Sequence, residues 1–139
     1  MIIDAVREYL LSCPELSGKK ININCLGTKP GSLTVDNVPA DATLKKYCDG
    51  EELKQAVFVL GVRDRYDENL GVNACVSELL EKVEAWIYKQ NLKNNMPKIL
   101  GEEICAKGIE VTKSGHLYDS SIANGRWQLE FRLLYLQRA

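Results

Sequence analysis

The apolar pattern of this chain predicts an α+β fold: a single mixed, mainly antiparallel sheet with an N-terminal helix and one long helix packed on it. Residues 72–91 set Val72, Cys75, Val76, Leu79, Leu80, Val83, Trp86 and Ile87 at the three-and-four spacing of one buried helical stripe. Residues 126–136 alternate Trp127, Leu129, Phe131, Leu133 and Tyr135 with Gln128, Glu130 and Arg132, the period of a half-buried strand. Ala56–Val62 is apolar on both faces, as expected of a central strand that is covered on two sides.

The elements follow in chain order. Ile2, Ile3, Val6, Tyr9 and Leu10 share one side of a helix over 2–11, which Pro14 stops and Ser17-Gly18 turns away. Ile21, Ile23 and Cys25 alternate with Lys20, Asn22 and Asn24 as a strand. Gly27–Ser32, with Pro30 and Gly31, reads as a loop, and Leu33 and Val35 as a short strand ending before Pro39. A long hairpin follows, with arms at 42–48 and 53–63 around Asp49-Gly50-Glu51-Glu52.

The long helix over 72–91 spans about 30 Å. Each side chain of its stripe contributes roughly 1.5–3 kcal/mol on burial before chain entropy is subtracted. Asn94-Asn95-Met96-Pro97 ends it. Strands are expected over 103–113 and 126–136, joined by a long polar loop through Ser114-Gly115 and 120–125.

Length and composition bound the function. The 139 residues are expected to fold as one domain over 1–139, with 45% hydrophobic and 27% charged residues, globular proportions. Eighteen basic against nineteen acidic side chains leave a net charge of −1, no surplus for nucleic-acid binding. Met1-Ile2-Ile3-Asp4 carries an acid where a signal peptide carries bases, and no apolar run is long enough to span a bilayer as a helix. Five cysteines, at 13, 25, 48, 75 and 105, have no Cys-x-x-Cys pair. They read as small reduced core residues in a reducing compartment, the cytosol.

Chemistry is sparse. His116, the one histidine, falls in the expected loop, and no Gly-x-Ser-x-Gly elbow presents Ser120 or Ser121 to it. One His and scattered Cys give no metal-ligand spacing. Gly27-Thr28-Lys29-Pro30-Gly31-Ser32 lacks the Walker spacing. Asp64, Asp67, Glu68 and Asn69 lack the glycine and closing glutamate of a calcium loop. Neither a catalytic residue nor a cofactor or metal site is expected. Lys45, Lys46, Lys54, Arg63 and Arg65 alternate with Asp49, Glu51, Glu52 and Asp64 along the hairpin, a mixed-sign surface suited to protein contact. A two-face apolar strand with about two helices to cover the sheet favours an oligomer over a monomeric enzyme.

Several residue runs resemble a known family. Asp4-Ala5-Val6-Arg7-Glu8-Tyr9-Leu10 resembles its first helix. Lys46-Tyr47-Cys48-Asp49-Gly50, then Lys54-Gln55, Phe58, Arg63 and Tyr66, resemble its hairpin. The tryptophan-bearing helix and Trp127-Gln128-Leu129-Glu130-Phe131-Arg132-Leu133 also match, so the likeness covers most of the chain. The family comprises small phage and prophage minor capsid-type proteins, similar to tail terminator (collar) proteins of long-tailed phages and phage-tail-like bacteriocins.

The resemblance implies a tail-terminator-like fold and a hexameric ring that caps the head-proximal end of a tail tube and stops its elongation. In a contractile particle the ring would also anchor the terminal sheath layer. The implied partners are further copies of the chain, the tube protein and the sheath protein, with no specific nucleic acid and no membrane. The implied location is the virion or tail-like particle, after synthesis in the bacterial cytoplasm. Lys45, Lys46, Arg63 and Arg65 are the expected interface charges. A head-completion or stopper role is the alternative, and a small enzyme using His116 with Asp119 or Ser120 is a third. Some relatives carry a chloramphenicol-resistance label, which requires His-x-x-x-Asp; the aspartate nearest after His116 is Asp119, three places on.

Overall fold

A computed structural model describes residues 2–24, 32–65, 70–97, 99, 104–121 and 124–138. Within them the chain runs α1 (Ile2–Leu11), β1 (Ile21–Ile23), β2 (Ser32–Val38), β3 (Thr43–Lys46), β4 (Glu52–Arg65), α2 (Leu70–Leu92), β5 (Ile104–Ser121) and β6 (Asn124–Gln137). The fold is α+β, two helices on one six-stranded mixed sheet of order β1-β2-β4-β6-β5, with β3 paired to β4 beside that path. Only β1 and β2 run parallel; the other described pairings are antiparallel.

Alternation decides which side of the sheet the helices cover. Phe58, Leu60 and Val62 of β4 stand opposite Phe131, Leu129 and Trp127 of β6, and all six are buried. Leu33 and Val35 of β2 extend the same face beside Val62 and Leu60. From above, α1 contributes Ile3, Val6, Tyr9 and Leu10, and α2 contributes Val76, Leu80, Val83 and Ile87. The helices meet each other through Tyr9 and Trp86, ring centroids 4.9 Å apart. Arg7 ties α1 to the sheet edge, its Nε donating to the Ile21 carbonyl at 2.6 Å.

The expected helices and hairpin form close to their predicted bounds, and the reasons are local. Past Leu92 the chain closes as a Schellman motif: Asn94 sits at φ 57°, its N–H donates to Asn91 O, and Asn95 N–H donates to Gln90 O. The turn between β3 and β4 is held by Asp49, whose Oδ1 accepts the Glu51 N–H at 3.0 Å.

Two expectations change. The polar stretch 114–121 is not a loop: it continues β5, so that β5 and β6 make one long hairpin. Its strand pattern is hidden because the register shifts at four places between Ala106 and Asp119, each breaking the two-residue alternation. The cysteines are not a core set either. Cys13 is buried, but Cys48 and Cys75 are exposed and Cys105 is half-buried, all four as free thiols. Cys75 therefore leaves the α2 stripe, while Leu79 and Trp86 lie partly buried at its margin. Cys25, the loop residues 27–31, Tyr66, Asp67, Glu68, Asn69 and the side chain of Val72 lie outside the described residues.

The strand Ala56–Val62 is central as expected, yet among the described residues no second layer of helix lies on its other face. There Val59 is 5% exposed and Val57 half-buried. Polar side chains from the neighbouring strands stand on that face instead, Arg126 and Arg132 of β6 bonding Asp36 of β2 and Glu110 of β5 across it.

Candidate functional site

Gly61 is the low point of that second face. A Cβ built on it would stand 3.1 Å from Thr34 Cγ2 and 3.5 Å from Arg126 Nη2. The missing side chain lets Arg126, on β6, lie across β4 and bond Asp36, on β2, at 3.1 Å. Asp36 also accepts the Thr34 hydroxyl at 2.9 Å, and Tyr118 of β5 stacks against Arg126 with its centroid 5.5 Å from Cζ. A second arginine repeats the arrangement further along. Arg132 donates Nε and Nη2 to Glu110 Oε2, at 2.9 and 2.7 Å, and Nη1 to Gln55 Oε1 at 3.1 Å. Two cations thus lace the face crosswise to its strands.

The four charges expected at an interface fall in two places. Lys45 and Lys46 are exposed on β3, with Lys45 Nζ 5.2 Å from the Tyr47 ring centroid. They pair with Leu53 and Glu52 at the start of β4. Arg63 lies about ten residues further along the strand, roughly 30 Å away. It stands opposite Ser32 and Arg126, half-buried, and its Nε is buried with no hydrogen-bond partner among the described residues. Arg65 pairs with Asn124 through the backbone; its side chain lies outside the described residues. The sequence reading missed Arg126, Arg132, Asp36 and Glu110. Their signal was position, since both arginines alternate with the buried residues of β6.

Among the described residues the hairpin arm is the longest continuously exposed stretch. Every residue from Pro39 to Gly50 is exposed, including Leu44 and Tyr47 at 43% and 40%. On the far side of the sheet, a groove of about 400 Å³ runs between α2 and β5, lined in part by Ile87, Tyr88, Ile109 and Val111 with Glu84 and Glu110. A smaller cavity of about 300 Å³, between the segment that follows α1, the end of β4 and α2, is lined by Glu15, Lys19, Cys75, Glu78 and Lys82 among others.

His116 lies on β5, exposed, with Nδ1 2.8 Å from Ser114 O. The side chains of Asp119, Ser120 and Ser121 lie outside the described residues. Among the described residues no three His, Cys, Asp or Glu side chains gather as a metal site. No described helix is long and apolar enough to cross a membrane. Burial, with the nearby Cys13 adding, pushes the Tyr9 hydroxyl well above its usual range, and burial likewise raises the Cys13 thiol. Both groups belong to the core beneath α1.

No family model matches the chain, and no curated protein matches it in sequence.

Proposed function

We propose that this chain is a non-enzymatic assembly protein whose copies close into a ring at the head-proximal end of a phage or phage-tail-like tube. The ring stops tube elongation and, in a contractile particle, anchors the last layer of sheath. Its partners are further copies of the chain, the tube protein and the sheath protein, and six copies form the ring. Made in the bacterial cytoplasm, the chain ends in the particle as a collar.

The likeness of the residue runs in α1, the hairpin, α2 and β6 to the phage minor capsid-type family supports the setting. The observation that carries the assembly role is the β3 arm: twelve consecutive residues, 39–50, stand exposed with two large apolar side chains that the chain's own core does not use. Such an arm costs ordering entropy and returns no burial within one copy. A contact with another chain supplies that burial.

Electron microscopy of tails carrying a gold-labelled copy of this chain tests the reading. Label at one tail end, the end that joins the head, supports it. Label at the capsid vertex with none on isolated tails would move the assignment to head completion. Absence from particles altogether would overturn both.

A further inference from the structure

Two surfaces towards opposite edges of the sheet carry apolar side chains and charges of opposite sign. We infer that the β3 arm of one copy seats in the groove between α2 and the outer edge of β5 on the next copy, an inference that rests on the ring reading for its premise of self-association.

The groove is built to receive an extended segment. β5 is the last strand in the sheet order, so its outer backbone groups have no strand beside them among the described residues. At one point α2 closes that edge itself: the Asn91 amide donates to Ile109 O, and its Oδ1 accepts the Ile109 N–H at 3.1 Å. A side-chain amide that bonds both groups of one residue mimics a paired strand. Val111, two residues on, points its backbone the same way, and no side chain among the described residues caps it as Asn91 caps Ile109. An incoming strand that paired there would extend the sheet.

Side chains select the occupant. The charged residues that line the groove are Glu84 and Glu110, beside the apolar Ile87, Tyr88, Ile109 and Val111. The β3 strand is Thr43-Leu44-Lys45-Lys46, an exposed apolar anchor followed by two exposed cations. Leu44 matches the apolar lining, and the lysines match Glu84, since the Glu110 carboxylate is held by Arg132 on the opposite face of the sheet. The groove volume suits a few side chains, and β3 is four residues long.

Placement then dictates the kind of assembly. β3 pairs with β4, and β6 separates β4 from β5. Three strand spacings, roughly 14 Å, keep the arm from the groove of its own copy. The two surfaces differ, so the contact is head-to-tail, and a closing rotation turns it into a ring. A symmetric pairing of two arms would instead set Lys45 and Lys46 against like charges.

The test joins cross-linking to mass. In a background with Cys25, Cys48, Cys75 and Cys105 replaced by serine, a chain carrying both Leu44→Cys and Tyr88→Cys is oxidised and run without reductant. The expected result is a ladder of covalent multimers from the double variant and none from either single one. Lys45→Glu with Lys46→Glu, changes at exposed positions outside the core, should weaken assembly roughly ten- to hundredfold in dissociation constant. Adding Glu84→Lys should restore part of it. Wild-type rings with no ladder, or with unchanged assembly in the lysine variant, would overturn the arm-in-groove contact and leave the ring reading standing. Cross-linking of the Leu44→Cys single variant to itself would also overturn it. A wild-type chain that stays single at every concentration would overturn the ring reading, and this contact with it.

Discussion

Arg126 and Asp36, ninety residues apart in sequence, form a 3.1 Å ion pair across the bare backbone of Gly61. Both side chains are about three-quarters buried, though no helix lies above them. The pair does the work of a missing layer, sealing Thr34, which is fully buried on the same face. Arg126→Ala should therefore destabilise the fold by about 1–3 kcal/mol, the cost of leaving a largely buried carboxylate with one partner fewer. Gly61→Val blocks the same path. In urea denaturation the two changes should be strongly non-additive, because each removes the same contact. Simple additivity would show that Arg126 does not depend on the gap at Gly61.

Gly115 gives α2 its seat on β5. A Cβ there would lie 2.5 Å from Leu80 Cβ, and Leu80 is fully buried. Gly115→Ala should cost about 1–3 kcal/mol by overpacking, with α2 lifted from the strand. A midpoint unchanged in urea would contradict this account of how the long helix is placed.

Asn91 predicts a local effect rather than a global one. Asn91→Leu strips Ile109 of partners for both backbone groups, and Asn91→Asp keeps the acceptor while losing the donor. Amide exchange at Ile109 should accelerate in Asn91→Leu far more than at Phe58 in the central strand. Equal acceleration at both sites would mean that the side chain supports the whole fold and does not cap an edge.

Tyr9 carries a buried hydroxyl with no hydrogen-bond partner among the described residues, while its ring packs on Trp86. Tyr9→Phe keeps the ring and removes the unsatisfied group, so stability should rise by about 1 kcal/mol. The pH dependence has a definite sign. The folded state raises the pKa of both Tyr9 and Cys13, so the fold holds them neutral while the unfolded chain ionises first. The contribution of these two groups should be constant below about pH 8 and then be lost as pH rises past the ordinary thiol and phenol values near 8.5 and 10. Tyr9→Phe should lessen that loss above pH 10. A stability that rose with pH in that range would contradict the burial of both groups.

The helix-facing half of the sheet was legible in the sequence because burial there repeats with a fixed period. Trp127, Leu129, Phe131, Leu133 and Tyr135 are all buried, as their alternation requires. The far half was not. Val57 and Val59 announced a covered face, but the cover is made of charged side chains whose partners lie on other strands, and no spacing in the chain records such a pairing. Register shifts hid the second half of β5 for a related reason, since each bulge reverses the sense of inside and outside. Cys75 misled through its position, which continues the α2 stripe although the side chain stands exposed at the end of the packed region. Of the candidate site, Lys45 and Lys46 were legible as exposed hairpin charges. The groove opposite them was not, because it is made jointly by α2 and a strand that begins twelve residues after the helix ends.

The central claim is that the chain works as a closed ring of itself, and the mass of the purified protein in solution addresses it directly. Native mass measurement over a wide concentration range should find one discrete species at six times the 15.6 kDa chain, with no continuous series of larger aggregates. A single 15.6 kDa species persisting at the highest concentration would contradict the account.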